Sequence, residues 1–190
     1  RALCERLERW AIWKWWHGHL IAKPISSPAL VGELRKGATL HRRTRLWHLS
    51  DFAPLSIIIA LSETAHKMQP IMGFGANMCP ESAARSAIIE LGLMELNLAA
   101  PSFKMRAYFE RVSTQMNARL PEGKIGKITA APSTENQSRQ ALETRLSDLG
   151  IAFSLNDLTT PHTGLTVAQA QIPDAPSWAD QVDRDNGPLI

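Results

Sequence analysis

The chain of 190 residues is 44% hydrophobic and 21% charged, which supports one domain with a sizeable core and excludes disorder as the default. Its net charge of +3 comes from 21 basic against 18 acidic residues, too small an imbalance to mark a nucleic-acid-binding protein. Cys4 and Cys79 lack CxxC partners, so neither a disulfide framework nor a zinc knuckle is expected, and a reducing, cytoplasmic setting follows. No apolar run reaches the roughly 20 residues that span a bilayer. The best candidate, residues 10–21, is broken by Lys14, His17 and His19.

Residues 2–20 read as a first helix, stopped by Gly18 and by Lys23-Pro24. Arg1 opens inside that helical pattern without an N-cap or a starting methionine, so the chain is expected to belong to a longer protein. Pro28 suits the first position of a second helix ending near Lys36. The basic run from Lys36 to Arg45 has few aromatics and reads as a solvated loop. Residues 46–49 and 55–61 read as strands, the latter central and covered because Ile57, Ile58 and Ile59 leave neither face polar. Residues 71–76 are a further strand, leading to a helix from Pro80 to Ala99 with Ala83, Ala84, Ala87, Ile88, Leu91, Met94 and Leu98 at helical spacing. Another helix is expected over 103–118, then a loop around Gly123 and Gly126. A helix from Thr134 to Gly150 follows, with Leu142, Leu146 and Leu149 on one side, and then strands over 151–155 and 165–172. The sequence predicts a mixed α/β domain with helices packed on a sheet.

The first helix, ALCERLERWAIWKWW, carries two carboxylates three residues apart, Glu5 and Glu8, and four tryptophans within seven residues. Leu3, Leu7, Trp10 and Ala11 form its apolar stripe, and the acids share a different side with Ile12 and Trp16. Glu5 and Arg9 stand in the favourable order for an i,i+4 ion pair, which explains them as surface support. Alternatively Glu5 and Glu8 offer hard oxygens to a divalent cation while Arg9 contacts a phosphate. Spacing alone does not decide between these.

Gly73-Phe74-Gly75-Ala76-Asn77 before a helix reads either as a phosphate cradle or as a tight strand-to-helix connection. Arg85 suits a phosphate, or an ion pair with Glu81. His17 and His19 point to different sides with no carboxylate at chelating spacing, so structural or exposed roles are expected. Trp13 and Trp16 are the tryptophans best suited to a surface contact, and no serine lies in a GxSxG context.

Three segments, in order, resemble the YcaO family of ATP-dependent enzymes that modify peptide backbones. ALCERLERWAIWKWW is similar to that family's ExxER helix, commonly followed by WW. GFGANMCPESAARSAIIELGLMEL resembles its GxGA strand and alanine-rich helix, and LGIAFSLNDLTTPHTGLTVAQAQIP its closing element. The resemblance runs from Ala2 to about Pro173 and implies that residues 1–190 are the C-terminal part of a single ATP-binding domain whose N-terminal part lies upstream.

The resemblance also implies roles. Glu5 and Glu8 match magnesium ligands, and Arg9 matches a neighbour of the nucleotide phosphates; Arg85 and Glu90 fall in the segment that would complete the nucleotide site. ATP and Mg2+ are the implied cofactors. The implied reaction phosphorylates a backbone amide oxygen of a ribosomally made precursor peptide after attack by a Cys, Ser or Thr side chain, giving an azoline. Related members make thioamides or amidines. A leader-peptide-recognition domain or partner protein is expected to deliver the peptide; neither nucleic acid nor membrane is an expected partner, and self-association is left open. Three departures bear on this: the family's SxExxER motif is not in the chain, the chain ends NGPLI where azoline-forming members often carry PxPxP, and Leu93 stands where glutamine is common. They motivate a competing expectation, an inactive YcaO-like scaffold that binds peptide or a partner.

Overall fold

The computed structural model describes residues 1–36, 42–64, 70–96, 112–113, 116, 119–128, 135–159 and 166–175. The expected helix over 103–118, the first part of the basic run (residues 37–41) and the proline-containing tail lie mostly or wholly outside the described residues. The elements are α1 (Ala2–Trp16), β1 (Lys23–Ser26), α2 (Pro28–Leu34), β2 (Arg42–Leu49), β3 (Ser56–Thr64), β4 (Ile71–Asn77), α3 (Pro80–Leu96), β5 (Gly126–Lys127), α4 (Glu135–Asp148), β6 (Ser154–Asp157) and β7 (Ala168–Gln171).

One sheet runs in the order β4-β3-β2-β1-β5, antiparallel except for the parallel β1–β5 pair, and β6 and β7 form a separate antiparallel ribbon. Strand alternation sorts side chains to two cores. Ile57, Ile59 and Leu61 of β3 face the layer that holds α1, with Trp47, Leu49, Met72, Phe74, Leu142 and Leu146. Ile58 and Ala60 face the other, with Leu30 of α2 and Ala83, Ala84, Ala87, Ile88 and Leu91 of α3. β3 is buried along eight of its nine residues, as its isoleucines predict for a covered central strand.

Gly73 and Gly75 explain the closeness of α3. A Cβ on Gly73 would collide with the Ala87 carbonyl oxygen and the Leu91 nitrogen, and one on Gly75 with the Ala83 carbonyl oxygen. Glycine here is therefore a packing requirement inside β4, where the helix rests on strand backbone. The turn into α3 is made afterwards, with the Asn77 side chain accepting the Cys79 backbone N–H at 2.9 Å. Neither expectation for the glycines, phosphate cradle or connecting turn, describes their position.

Other expectations are also corrected. The basic run's end, Arg42 to Arg45, belongs to β2 and is not a solvated loop: Arg42 is matched by Glu95 and Arg45 by Glu63, while Arg43 is exposed. Lys23-Pro24, expected only to stop a helix, begins strand β1, which lies between β2 and β5, with Lys23 opposite His48 and Pro24 opposite Trp47. Trp16 is buried in the core while Trp13 is half-buried and stacks near His17 and His19. Leu149 is exposed, since α4 ends one residue earlier.

Candidate active site

α1 buries Leu3, Leu7, Trp10, Ala11, Ile12, Trp15 and Trp16. The fully buried Trp15 donates its indole N–H to the Arg119 carbonyl at 3.1 Å, which satisfies the ring's polar atom inside the core. With the helix fixed in rotation, Glu8 is carried to the margin of the sheet beside β4.

Among the described residues β4 is an edge strand, so alternate N–H groups along it have no ladder partner. The Phe74 N–H donates to Glu90 Oε2 at 3.0 Å, and the Ala76 N–H donates to Glu8. Phe74 and Ala76 have the same parity, so both point away from β3. Glu90 comes from α3 on one face of the sheet and Glu8 from α1 on the other, and their carboxylates meet at this edge.

Burial, then the nearby charges of Glu90 and Glu5, push the Glu8 carboxyl up to about 7, against the opposing pull of Arg9 and the Ala76 N–H. Glu90 is raised too, by burial, with the Phe74 N–H acting the other way. Two partly buried acids that resist ionising side by side suit a cation between or beside them. Magnesium takes one or two carboxylates and completes its shell with water and phosphate oxygens, so the donor set fits part of such a site. Among the described residues no group of three His, Cys, Asp or Glu is close enough to hold a metal ion unaided.

Glu5 is more exposed and pairs at 2.9 Å with Arg1, one turn before it, where the expected partner was Arg9, one turn after it. It still raises Glu8 through space, so it belongs to the same electrostatic group. Arg85 is half-buried and pairs with Glu33 of α2 at 2.9 Å, while Glu81, its expected partner, acts on it only through space. Five residues separate it from Glu90, about 140° around the helix. The structure thus brings together Glu5, Glu8, Arg9 and Glu90, and turns Arg85 toward α2.

One polar cluster was not anticipated. Glu95 is buried and held by Arg35 at 2.7 Å and 2.8 Å, by Arg42 at 3.2 Å and by the Ser62 hydroxyl. The only sequence signal was the basic run itself, and it does not alternate: Arg42 and Arg45 fall on opposite faces of β2 and meet different acids, Glu95 and Glu63. A cavity of about 230 Å3 beside Arg45, Glu63 and Glu122 is lined by charges that pair with one another, Arg45 to Glu63 at 2.6 Å and to Glu122 at 3.6 Å.

Residues 1–175 match the family model described as YcaO cyclodehydratase, ATP- and Mg2+-binding. The chain belongs to the YcaO family. Solved structures agree on the fold. A heterocyclase in complex with substrate and cofactor is similar at a TM-score of 0.74 and 18% identity, over 91% of this chain and 26% of that one. The heterocyclase TruD is similar at 0.69 and 17%, over 93% and 27%. The YcaO protein from Methanopyrus kandleri bound with AMPPCP and Mg2+ is similar at 0.70 and 20%, over 99% and 54%. A comparison with curated protein sequences finds no match. This YcaO chain therefore spans about a quarter to a half of the length of these structures.

Proposed function

We propose that this chain supplies one side of the active site of an ATP- and Mg2+-dependent enzyme that modifies a peptide backbone amide, forming an azoline from Cys, Ser or Thr of a ribosomally made precursor. The observation that carries the reading is the convergence of Glu8 and Glu90, from opposite faces of the sheet, on adjacent outward N–H groups of β4. Membership of a family described as ATP- and Mg2+-binding supports it, as does likeness to structures described with substrate, AMPPCP and Mg2+.

Glu8 and Glu90 would hold the cation, with water and phosphate oxygens completing its shell, Glu5 would add negative charge beside them, and Arg9, next to Glu8, would face the phosphates. When bound, the cation offsets charge on a transferring phosphoryl group. The chain's own contribution is orientation. The Ala76 and Phe74 N–H groups fix two carboxylates whose side chains would otherwise turn freely, and burial keeps them strongly basic for their type. In the reaction the nucleophile adds to the amide carbon, the amide oxygen takes the terminal phosphoryl group of ATP, and it departs as phosphate.

One observation favours the second reading, an inactive scaffold. Leu93, one turn beyond Glu90, is apolar and 59% exposed where the family commonly places glutamine. The two readings separate in the full-length protein mixed with precursor peptides encoded by neighbouring genes. Peptide-stimulated, magnesium-dependent ATP hydrolysis that is lost in the Glu5→Gln/Glu8→Gln double variant supports the enzyme. Equal turnover in a folded double variant would remove the carboxylates from the mechanism. Thioamide or amidine products, identified by mass, would replace the azoline assignment alone.

A further inference from the structure

The β6–β7 ribbon has one hydrogen-bonded side. The Leu158 N–H donates to the Val167 carbonyl at 2.8 Å, which fixes Val167, Gln169 and Gln171 as the residues whose backbone groups face β6. Ala168 and Ala170 therefore turn their N–H and C=O outward, and no strand among the described residues pairs with them. Over AQAQ this edge carries none of the usual defences, neither charge nor proline nor bulge.

What lies beside it is α1. A cleft of about 570 Å3 is lined on one wall by the consecutive residues 168–173 and on the other by Glu5, Arg6 and Arg9. The first four of these residues are β7, so most of that wall is strand, and Ile172 and Pro173 continue it beyond the strand's end. Arg6 reaches across to the Ala175 carbonyl at 3.3 Å and braces the end of β7 against the helix. Glu8 is one helical turn from Glu5, so the cleft ends where the carboxylate group begins.

The geometry points to β7 as a docking edge, on which an extended segment of the peptide substrate adds as a third strand and is led past Glu5 and Arg9 toward Glu8 and Glu90. This rests on the peptide-modifying reading above and names how that site takes its substrate. Strand addition uses main-chain hydrogen bonds, so it tolerates many sequences, and pairing alternates because only every second peptide residue faces β7. The alanines suit the role: Ala168 and Ala170 leave the edge unobstructed by long side chains.

The test is amide hydrogen exchange by NMR on the full-length protein, with the probe acetyl-Thr-Val-Thr-Cys-Thr-Val-Thr-amide, a strand-forming peptide with one cysteine. The Ala168 and Ala170 amides should exchange fast without probe and slow by at least about tenfold with it, while Gln169 and Gln171 are protected throughout. Two probes N-methylated at adjacent positions should differ at least about tenfold in affinity, since only one of the two N–H groups donates to β7. Unchanged Ala168 and Ala170 amides at probe concentrations that saturate ATP hydrolysis would overturn the docking edge and leave the catalytic reading intact. Protection of both without probe would overturn it as well, because another segment then occupies the edge. Alternating protection without any probe-dependent ATP hydrolysis supports the edge and counts against the catalytic reading alone.

Discussion

Glu8 on α1 and Glu90 on α3 lie on opposite faces of the sheet, yet accept the N–H groups of Ala76 and Phe74, two residues apart on one edge. A sheet edge thus serves as the meeting point of two helices that share no packing face. The carboxylates are fixed by backbone, and the pull of Arg9 offsets only part of the burial and like charge that raise Glu8.

That repulsion has a signed consequence for stability. Glu8 titrates at about 7 in the folded chain and near 4.3 unfolded, so between those values the folded state holds a proton the unfolded state has released. Its favourable contribution is complete below about 4.3 and is lost as pH rises through about 7. Glu8→Gln should therefore be more stable than wild type at pH 8 by roughly 1–3 kcal/mol in the presence of EDTA, and close to it at pH 4. Urea unfolding at the two pH values checks this; equal destabilisation at both would mean the strain at this edge is absent.

The same pair should act as one unit in turnover. Glu8→Gln and Glu90→Gln are each expected to lower magnesium-dependent ATP hydrolysis of the full-length protein by about 100-fold or more, and the double variant scarcely further. Steady-state rates across a magnesium titration test the coupling. Multiplying losses would show that the two carboxylates serve separate steps.

Glu95 should matter through stability. Burial would raise its carboxyl, but hydrogen bonds from Arg35 and Ser62 and the charges of Arg35 and Arg42 outweigh that and hold it below the usual range. The stabilisation is present above the unfolded carboxyl value and is lost as pH falls through the lower folded one. Glu95→Ala leaves Arg35 and Arg42 buried with a lost partner, at an expected cost of about 3–5 kcal/mol by denaturant unfolding at neutral pH. A loss below about 1 kcal/mol would place this cluster with ordinary surface pairs.

The parts of the fold that were legible in the sequence are those where one element's own pattern decides the outcome. The stripe Leu3, Leu7, Trp10 and Ala11 is buried, and Ile12 and Trp16 cover the side that Glu8 shares, because helical spacing alone sets both. β3 read as central from three successive isoleucines. What stayed hidden depends on a second element. Nothing in KPIS signals a strand until β2 lies beside it. Arg42 looked solvated because Glu95, its acid, stands on another element more than fifty residues later. For the candidate site, Glu5, Glu8 and Glu90 could be named from the family pattern, whereas the β4 N–H groups that orient two of them are invisible in side-chain identity.

Gly75 is a position where sequence and packing can be tested directly. Its added Cβ would strike the Ala83 carbonyl oxygen, which belongs to helix backbone and cannot turn aside. Gly75→Ala should cost about 3 kcal/mol or more and shift α3 off β4. Because Glu90 rides on α3, the loss of its Phe74 hydrogen bond should appear as faster Phe74 amide exchange in any folded fraction. An unperturbed Phe74 amide would mean that α3 and β4 yield without separating.

Arg85 offers the last discrimination, between structure and substrate. Its guanidinium is held by Glu33 at 2.9 Å and 3.4 Å, and it projects about 140° from Glu90 around α3. If that pairing is its role, Arg85→Ala and Glu33→Ala should behave alike, each changing the KM for ATP by less than about twofold, since exposed pairs contribute little. A residue that contacts phosphate behaves differently. Arg85→Ala would then raise the KM for ATP by about tenfold or more, while Glu33→Ala, which frees the arginine, would lower it or leave it unchanged. Opposite signs for the two variants would move Arg85 into the nucleotide site; matched small effects assign it to the contact between α2 and α3.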